Sequence, residues 1–187
     1  MKRITLILIA LVSFSMTTTA QTVVGDATLP NTMTLEGSSL ALNGAGMREK
    51  LWIDLYAGGL YTQSKMKNAK AVVNADETMV MKLHIVSKLI TTEKMVDAVN
   101  DGFDAAMNGD TSSLASEIEK FKGFFNYEIK NGNVIDIAYV KGKGSVAYSD
   151  GKELGSIPGL AFKKALFAIW LGNDPADKGL KKDMLKG

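Results

Sequence analysis

The stretch that decides the fold reads Asn43-Gly-Ala-Gly-Met-Arg-Glu-Lys-Leu-Trp-Ile-Asp-Leu-Tyr-Ala-Gly-Gly-Leu-Tyr61. Gly44 and Gly46 permit backbone angles that other residues avoid, and they let another backbone or a ligand come close. The sequence therefore predicts a sharp bend at the two glycines. A long strand over residues 50–61 follows, with Arg48 at its mouth.

Two-residue alternation divides this stretch into two faces. One face is mixed, and the other is uniformly apolar; the mixed one holds Arg48, Trp52, Asp54 and Tyr56, and the apolar one Leu51, Ile53, Leu55 and Ala57. A guanidinium suits a carboxylate, and a tyrosine adds a hydroxyl above an aromatic surface. The mixed face is therefore a candidate wall of a binding site.

Two alternatives remain open at this point. Arg48 could be an exposed cation that pairs with Glu49 or Asp54, which is worth little energetically. An unbroken strand would also hold Arg48 and Tyr56 about 26 Å apart, at roughly 3.3 Å per residue. Both can serve one head group only if the chain bends between them.

The N-terminus has the features of a secretory signal peptide over residues 1–20. Lys2 and Arg3 precede an apolar run over residues 4–14, and small residues end at Ala20. That run is too short to span a bilayer, and no later stretch reaches the roughly 20 apolar residues required. We expect cleavage after Ala20 and a periplasmic or secreted protein with no integral membrane segment.

Composition excludes several classes of function. The chain has 22 basic and 20 acidic residues, and Lys2 and Arg3 lie in the signal, so the mature chain is close to neutral. Scattered charges give no electrostatic footprint for nucleic acid or for an anionic membrane. The absence of cysteine excludes disulfides and thiol chemistry. We expect one domain over residues 21–187, a monomer, with no cofactor and no metal site.

The first half of the chain predicts strands, then helices. Short strands are expected over residues 32–35 and 40–43, a short helix over 68–74, and a half-buried alternating strand over 78–86. Thr91 or Thr92 can cap a helix in which Met95, Val99 and Phe103 recur every four residues. A second helix is expected over residues 112–121.

The second half predicts two hairpins and two helices. Asn131-Gly132 would join strands 127–130 and 134–140, and Asp150-Gly151 would join strands 144–148 and 152–157. A helix is expected from Pro158 to Gly172, with Ile169 and Trp170 near its end. Asp174-Pro175 is expected to cap a short basic helix ending at residue 185, with a solvated face. Hairpins imply an antiparallel sheet, so the class is α+β.

These motifs, in this order, resemble the chalcone isomerase-like superfamily of plant isomerases, plant fatty-acid-binding proteins and bacterial relatives. The resemblance covers residues 43–61, the Gly142-Lys-Gly144 turn, the Asp150-Gly151 hairpin and the closing block over residues 157–180. It implies an open-faced β-sandwich, in which a curved antiparallel sheet carries a layer of helices on one face. The ligand cleft is then expected between the two layers.

The resemblance transfers only part of the isomerase catalytic set. Arg48 matches the family arginine and Lys94 the lysine, but Thr91 and Ala98 stand at the tyrosine and asparagine positions. The family threonine on the long strand corresponds to Tyr56, and the later one to Ile169. Losing the tyrosine and asparagine removes groups that would orient substrate and polarise its carbonyl.

Three hypotheses follow from these observations. The first is non-catalytic binding of a fatty acid or similar amphipathic carboxylate; its expected contacts are Arg48, Trp52, Tyr56, Met95, Val99, Phe103, Ile169 and Trp170. The second is an intramolecular lyase or isomerase acting through Arg48 and Lys94. The third is a structural envelope protein whose cleft is filled by side chains. The apolar residues of the first set also fit a plain sheet-to-helix core.

Overall fold

A computed structural model describes residues 20–187. Of the predicted signal peptide, residues 1–19 lie outside the described residues, and cleavage after Ala20 stays a prediction. The first strand begins immediately after that position.

Hairpin connections dominate the β-structure, as the turn signals predict. Within residues 20–187, a two-stranded sheet is formed by β1 (Gln21–Val24) and β2 (Ala27–Pro30). A seven-stranded sheet follows in chain order: β3 (Thr32–Leu35), β4 (Ser38–Lys50), β5 (Ile53–Thr62), β6 (Met79–Ile85), β7 (Val134–Val140), β8 (Gly144–Ser149) and β9 (Lys152–Ile157). Every neighbouring pair is antiparallel. The predicted α+β class with a curved antiparallel sheet is confirmed.

Three of the five α-helices in residues 20–187 begin at a capping side chain. The five helices are α1 (Ala69–Asn74), α2 (Thr92–Ala106), α3 (Ala115–Lys122), α4 (Leu160–Leu171) and α5 (Lys178–Met184), with short 3₁₀ turns at Ser112–Leu114 and Gly123–Phe125. The Asn68 side chain accepts a hydrogen bond from the first turn of α1. Thr91 does the same for α2, because its hydroxyl accepts from the Lys94 amide at 3.3 Å.

The predicted bend at Gly44 and Gly46 is wrong, because both glycines lie inside β4. The chain turns instead at Leu51 and Trp52, which adopt left-handed backbone angles with φ of 52° and 63°. The predicted single strand over residues 50–61 is therefore β5 preceded by this turn. A two-residue hairpin with both φ values positive matches the twist of the flanking strands.

The two glycines serve close packing instead of a turn. A Cβ at Gly44 would clash with the carbonyl oxygen of Asp183, so the end of α5 rests directly on the β4 backbone. Asn43 fixes this contact: its buried amide nitrogen donates to the carbonyl oxygens of Met66 and Met184, each at 2.7 Å. The sequence indicates the close approach but not the element that makes it.

Two further local predictions need correction. Residues 127–130 form no strand, because they are bonded to the start of α2: Thr92 Oγ1 donates to the Tyr127 carbonyl at 2.5 Å. The last helix is capped by Asp177, whose carboxylate accepts from the Leu180 amide at 2.8 Å, and not by Asp174-Pro175. The same helix buries Leu180, so only part of its surface is solvated. The Asp150-Gly151 hairpin between β8 and β9 is confirmed.

The main core lies between the sheet and the helices. The alternating side chains of β6 turn towards it as predicted: Met79, Met81, Leu83 and Ile85. A smaller apolar cluster, which includes Leu40, Tyr61, Val80 and Val146, occupies the opposite face of the sheet. The Tyr61 hydroxyl donates to the Pro30 carbonyl at 2.7 Å and so links this face to the first hairpin.

Candidate ligand-binding cleft

The β4–β5 hairpin brings Arg48 and Tyr56 together. They are paired directly across the two strands, because the chain reverses at Leu51 and Trp52. The Arg48 guanidinium carbon lies 5.5 Å from the centre of the Tyr56 ring, and Nη1 lies 3.5 Å from the tyrosine oxygen. The bend between Arg48 and Tyr56 that one shared head group requires is therefore present.

Tyr56 is also held from the helix layer. Trp170, near the end of α4, donates from Nε1 to the Tyr56 hydroxyl oxygen at 2.8 Å, and both residues are buried. Burial raises the pKa of Tyr56 above its usual value, although the neighbouring Arg48 charge opposes the shift. The hydroxyl therefore stays protonated at neutral pH. Since its oxygen accepts from Trp170, its own proton remains for a further acceptor.

Arg48 is not the exposed, ion-paired cation of the alternative interpretation. It makes no salt bridge with any residue between 20 and 187, although Glu49 and Asp54 are close in sequence. Its Nε atom is buried and has no hydrogen-bond partner among the described residues. A buried donor without a partner is costly, so this atom is suited to an acceptor from outside the protein.

A small inner cavity lies between the sheet and the helices, beside these groups. Its volume is about 40 Å³, enough for little more than one water molecule. The cavity is lined by Arg48, Tyr56, Leu83, Ile90, Lys94, Met95, Ala98, Val99, Phe121, Phe125, Ile135, Ile137, Ile169, Trp170 and Ala176. Side chains thus fill most of the space between the layers.

A larger outer cleft adjoins the inner cavity. It has a volume of about 600 Å³ and shares five lining residues with the cavity: Arg48, Ile90, Lys94, Ala98 and Ala176. Its wall continues over Leu51, Ile53 and Leu55 of the β4–β5 region and over Leu89. It also carries the carboxylates of Asp97, Asp101 and Asp174. Arg48 and Lys94 therefore stand where the open cleft meets the apolar interior.

The polar side chains that line the inner cavity can all donate a hydrogen bond. Arg48 and Lys94 are cations, Trp170 carries an indole N–H, and Tyr56 has a hydroxyl proton to donate. The remaining lining side chains are apolar, so none of the side chains that line this space within residues 20–187 carries a carboxylate or an amide. The cavity is complementary to a hydrogen-bond acceptor and offers little to a group that must donate.

The structure brings most of the expected site residues together, with two exceptions. Met95, Val99, Ile169 and Trp170 line the inner cavity with Arg48 and Tyr56. Trp52 does not, because it occupies the hairpin turn and is 93% exposed. Phe103 does not either: it is fully buried farther along α2, against Phe162, with ring centres 5.4 Å apart.

Several lining residues were not expected from the sequence. Leu83 of β6 carries a signal, because it shares the alternating face of Met79 and Met81. Ile135 and Ile137 of β7 show the same two-residue spacing. Ala176 shows none, since it is placed at the cleft by a hydrogen bond from its amide to the Ile169 carbonyl of α4, at 2.8 Å.

At the positions where the isomerases carry tyrosine and asparagine, this chain places no polar side chain in the cavity. Thr91 caps α2 and is absent from the cavity lining, whereas Ala98 presents only a methyl group to it. Lys94 stands three residues beyond the cap, at the mouth. Across residues 20–187, no three His, Cys, Asp or Glu side chains group as a metal site. No helix in that range is long and apolar enough to cross a membrane.

The chain belongs to the chalcone isomerase-like family. The model of this family matches residues 21–186, which is almost the whole described part. Comparison with curated protein sequences gives no significant match.

Among solved structures, the chain is similar to a fatty-acid-binding protein of Arabidopsis thaliana. The two share 20% sequence identity and superpose with a TM-score of 0.68, covering 85% of this chain and 91% of the plant protein. At this identity the likeness establishes a common fold, a curled antiparallel sheet that forms a half-barrel with its helices.

Proposed function

We propose that the protein binds a fatty acid or a similar amphipathic carboxylate between the sheet and the helices, without catalysing a reaction. The observation that carries the proposal is the composition of the inner cavity. All its polar side chains can donate hydrogen bonds, two of them (Arg48 and Lys94) stand at the mouth, and the remaining wall is apolar. A carboxylate accepts only, and an alkyl chain needs no partner, so such a molecule matches both parts.

Arg48 is the proposed anchor of the carboxylate. Its unpartnered Nε and its outer nitrogens offer the planar pair of donors that a carboxylate accepts. Tyr56 supplies a second donor from the adjacent strand, and Lys94 adds positive charge from α2. The structural likeness to a fatty-acid-binding protein supports this proposal through the shared fold.

The outer cleft and the inner cavity differ in whether a ligand fits without movement of side chains. The outer cleft, at about 600 Å³, falls within the range of about 300–1,000 Å³ usual for ligand pockets. The inner cavity, at about 40 Å³, admits an alkyl chain only if neighbouring side chains move. Met95 is suited to such movement because it is unbranched and has several rotatable bonds.

Calorimetry with a long-chain fatty acid and its methyl ester tests the proposal. The acid should bind more tightly than the ester, because the ester loses a charge-assisted pair worth about 1.5–3 kcal/mol. Arg48→Ala should weaken the acid by a similar amount and leave the ester almost unchanged. Arg48→Lys should restore only part of the loss, since an ammonium cannot make the planar two-point contact.

Equal affinity for acid and ester in the unmodified protein would show that Arg48 does not anchor a carboxylate. Failure of both to bind would favour a cleft filled by side chains, the structural hypothesis. Mass spectrometry of molecules that co-purify with the protein would identify the physiological ligand class.

The absence of catalysis is tested separately. Thr91 is used as a helix cap and Ala98 has no polar group, so the protein should not cyclise a 2′-hydroxychalcone above the spontaneous rate. Stereoselective turnover that disappears in Arg48→Ala would instead support the intramolecular lyase hypothesis with Arg48 and Lys94.

We further propose that the mature protein is exported and begins at Gln21. The basic start and short apolar run of residues 1–20 support this, and so does the family match, which begins at residue 21. N-terminal sequencing of protein from the periplasm or the medium should find Gln21. Retention of Met1 on protein recovered from the cytoplasm would contradict it.

A further inference from the structure

Exposed large apolar side chains gather at the mouth of the cleft. Trp52 is 93% exposed, Leu51 76%, Leu89 46% and Ile53 43%. Leu51, Ile53 and Leu89 line the outer cleft, and Trp52 lies between the first two at the turn of the β4–β5 hairpin. These four residues are called the apolar tip.

The backbone conformation of the turn makes the exposed side chains of Leu51 and Trp52 unusual. Leu51 and Trp52 both have positive φ, in a position where two-residue hairpins favour Asn and Gly. Neither side chain gains burial within residues 20–187 in return. An energetically poor choice at a turn, with no packing to offset it, points to a contact outside the chain.

The charges beside the apolar tip indicate what kind of surface it meets. Lys50 directly precedes Leu51, and Lys88 directly precedes Leu89; both lysines are exposed and make no ion pair with any residue between 20 and 187. The cleft beside the tip also carries the carboxylates of Asp97, Asp101 and Asp174, so its charge is mixed, and the two lysines are the cations next to the tip in sequence. The carboxylate of Asp54 lies beside the β1–β2 turn, where Oδ2 would be 3.9 Å from a Cβ at Gly25. Two unpaired lysines can extend to phosphate groups while the apolar residues enter an acyl layer.

We propose that the apolar tip docks the protein on the surface of a phospholipid bilayer that contains anionic lipid. Four partly exposed side chains present an area on the order of a few hundred Å². A stable interface between two copies needs about 800 Å² from each. Shallow insertion of an exposed tryptophan with flanking lysines needs no such area, because the lipid surrounds the side chains.

This inference goes beyond the binding of a single ligand in the cleft. Because the apolar tip is continuous with the cleft lining, docking would place the mouth of the cleft against the bilayer. An amphipathic molecule would then reach Arg48 without crossing bulk water. Docking itself does not require that a fatty acid binds.

Vesicle flotation tests the proposal with protein residues 21–187. Phosphatidylcholine vesicles with and without phosphatidylglycerol should both retain the protein, and the anionic ones more strongly. Trp52→Ala should weaken retention at least about tenfold, because it removes the largest inserted apolar surface. Lys50→Gln with Lys88→Gln should remove the preference for anionic vesicles. Val23→Ser is the matched control, since Val23 is 71% exposed but does not line the cleft.

Fluorescence locates the inserted residue. The chain has two tryptophans, so a Trp170→Phe background leaves Trp52 alone. Its emission should shift to the blue when vesicles are added, and brominated lipid should quench it. Fatty-acid affinity in lipid-free buffer should be unchanged in Trp52→Ala, which separates this proposal from the proposed function.

Three results would overturn the proposal. They are no retention on either vesicle, equal retention of Trp52→Ala and the unmodified protein, and a blue shift of Trp52 that depends on protein concentration without lipid. The last would show that a second copy covers the apolar tip.

Discussion

The space between the sheet and the helices has two ends that differ in what fills them. At the closed end, Phe103 of α2 packs on Phe162 of α4, and no polar side chain is inserted between them. At the open end, Arg48 and Lys94 of α2 stand at the cavity mouth, and Trp170 of α4 lines the inner cavity. Along α2 the ends are about 13 Å apart, at 1.5 Å per residue.

The difference is consistent with the proposal that one pair of helices serves stability at one end and ligand binding at the other. Aromatic rings fill the closed end at the density of a protein interior, so changes there should affect folding. The open end is incompletely filled and contains an unpartnered donor, so changes there should affect ligand binding. The following predictions test this division, beginning with the largest expected effect.

Phe103→Ala should destabilise the protein by about 3–5 kcal/mol, because it removes a fully buried ring from the closed end and leaves a cavity. Denaturant unfolding measures the change. Val99→Ala, one turn earlier on α2 and in the cavity wall, should cost less because it deletes fewer buried atoms. Equal losses for the two variants would contradict the division into ends.

Gly44→Ala should destabilise the protein by about 1–3 kcal/mol, because the added methyl group meets the backbone of α5. Displacing α5 should also disturb Ala176 at the cleft mouth. Gly123→Ala is the control: its backbone is helical with φ of −61°, and nothing lies near an added Cβ, so stability should be unchanged or slightly higher. A neutral Gly44→Ala would show that α5 is not seated on β4.

Trp170→Phe should weaken fatty-acid binding by about 0.5–1.5 kcal/mol, the net value of one neutral hydrogen bond. The indole N–H holds the Tyr56 oxygen at 2.8 Å, so its loss frees the hydroxyl to turn away from the cleft. In a Tyr56→Phe background the same change should have little further effect, because the bond is already absent. Additive losses from the two changes would mean that Trp170 does not act through Tyr56.

A further effect is confined to alkaline pH. Burial, with help from the hydrogen bond to Asp76, raises the pKa of Tyr139 to about 12. Stability that depends on the protonated phenol is complete below about pH 10 and is lost as the pH rises towards 12. Tyr139→Phe should make this alkaline loss less steep.

Lys163 should change the pH dependence of stability in the opposite direction, at lower pH. Burial lowers its pKa to about 8 from an ordinary value near 10.5, while Nζ donates to the Val72 carbonyl at 2.6 Å. The unfolded chain therefore holds more protons between pH 8 and 10.5, and this group makes stability rise with pH there. Chemical unfolding from pH 8 to 11 checks both groups. A Tyr139→Phe protein with an unchanged alkaline slope would contradict the first.

The sequence by itself determined part of the local structure and, through the family resemblance, singled out Arg48 as the proposed anchor. Period-two and period-four spacing gave β6 and α2, since each face of these elements meets one environment. The Asp150-Gly151 turn was predicted because this pair of residues tolerates positive φ. Arg48 was predicted from the family motif. These features depend on residues close together in the chain.

The tertiary structure decided where the chain reverses and which side chains meet. Two glycines such as Gly44 and Gly46 are compatible both with a turn and with close packing against another backbone. Only the position of α5 distinguishes these two roles. The chain reverses at Leu51 and Trp52 instead. This reversal places Arg48 opposite Tyr56 and leaves Trp52 exposed, outside the cleft. The partnership of Tyr56 with Trp170 spans 114 positions in the chain, so local spacing carries no trace of it.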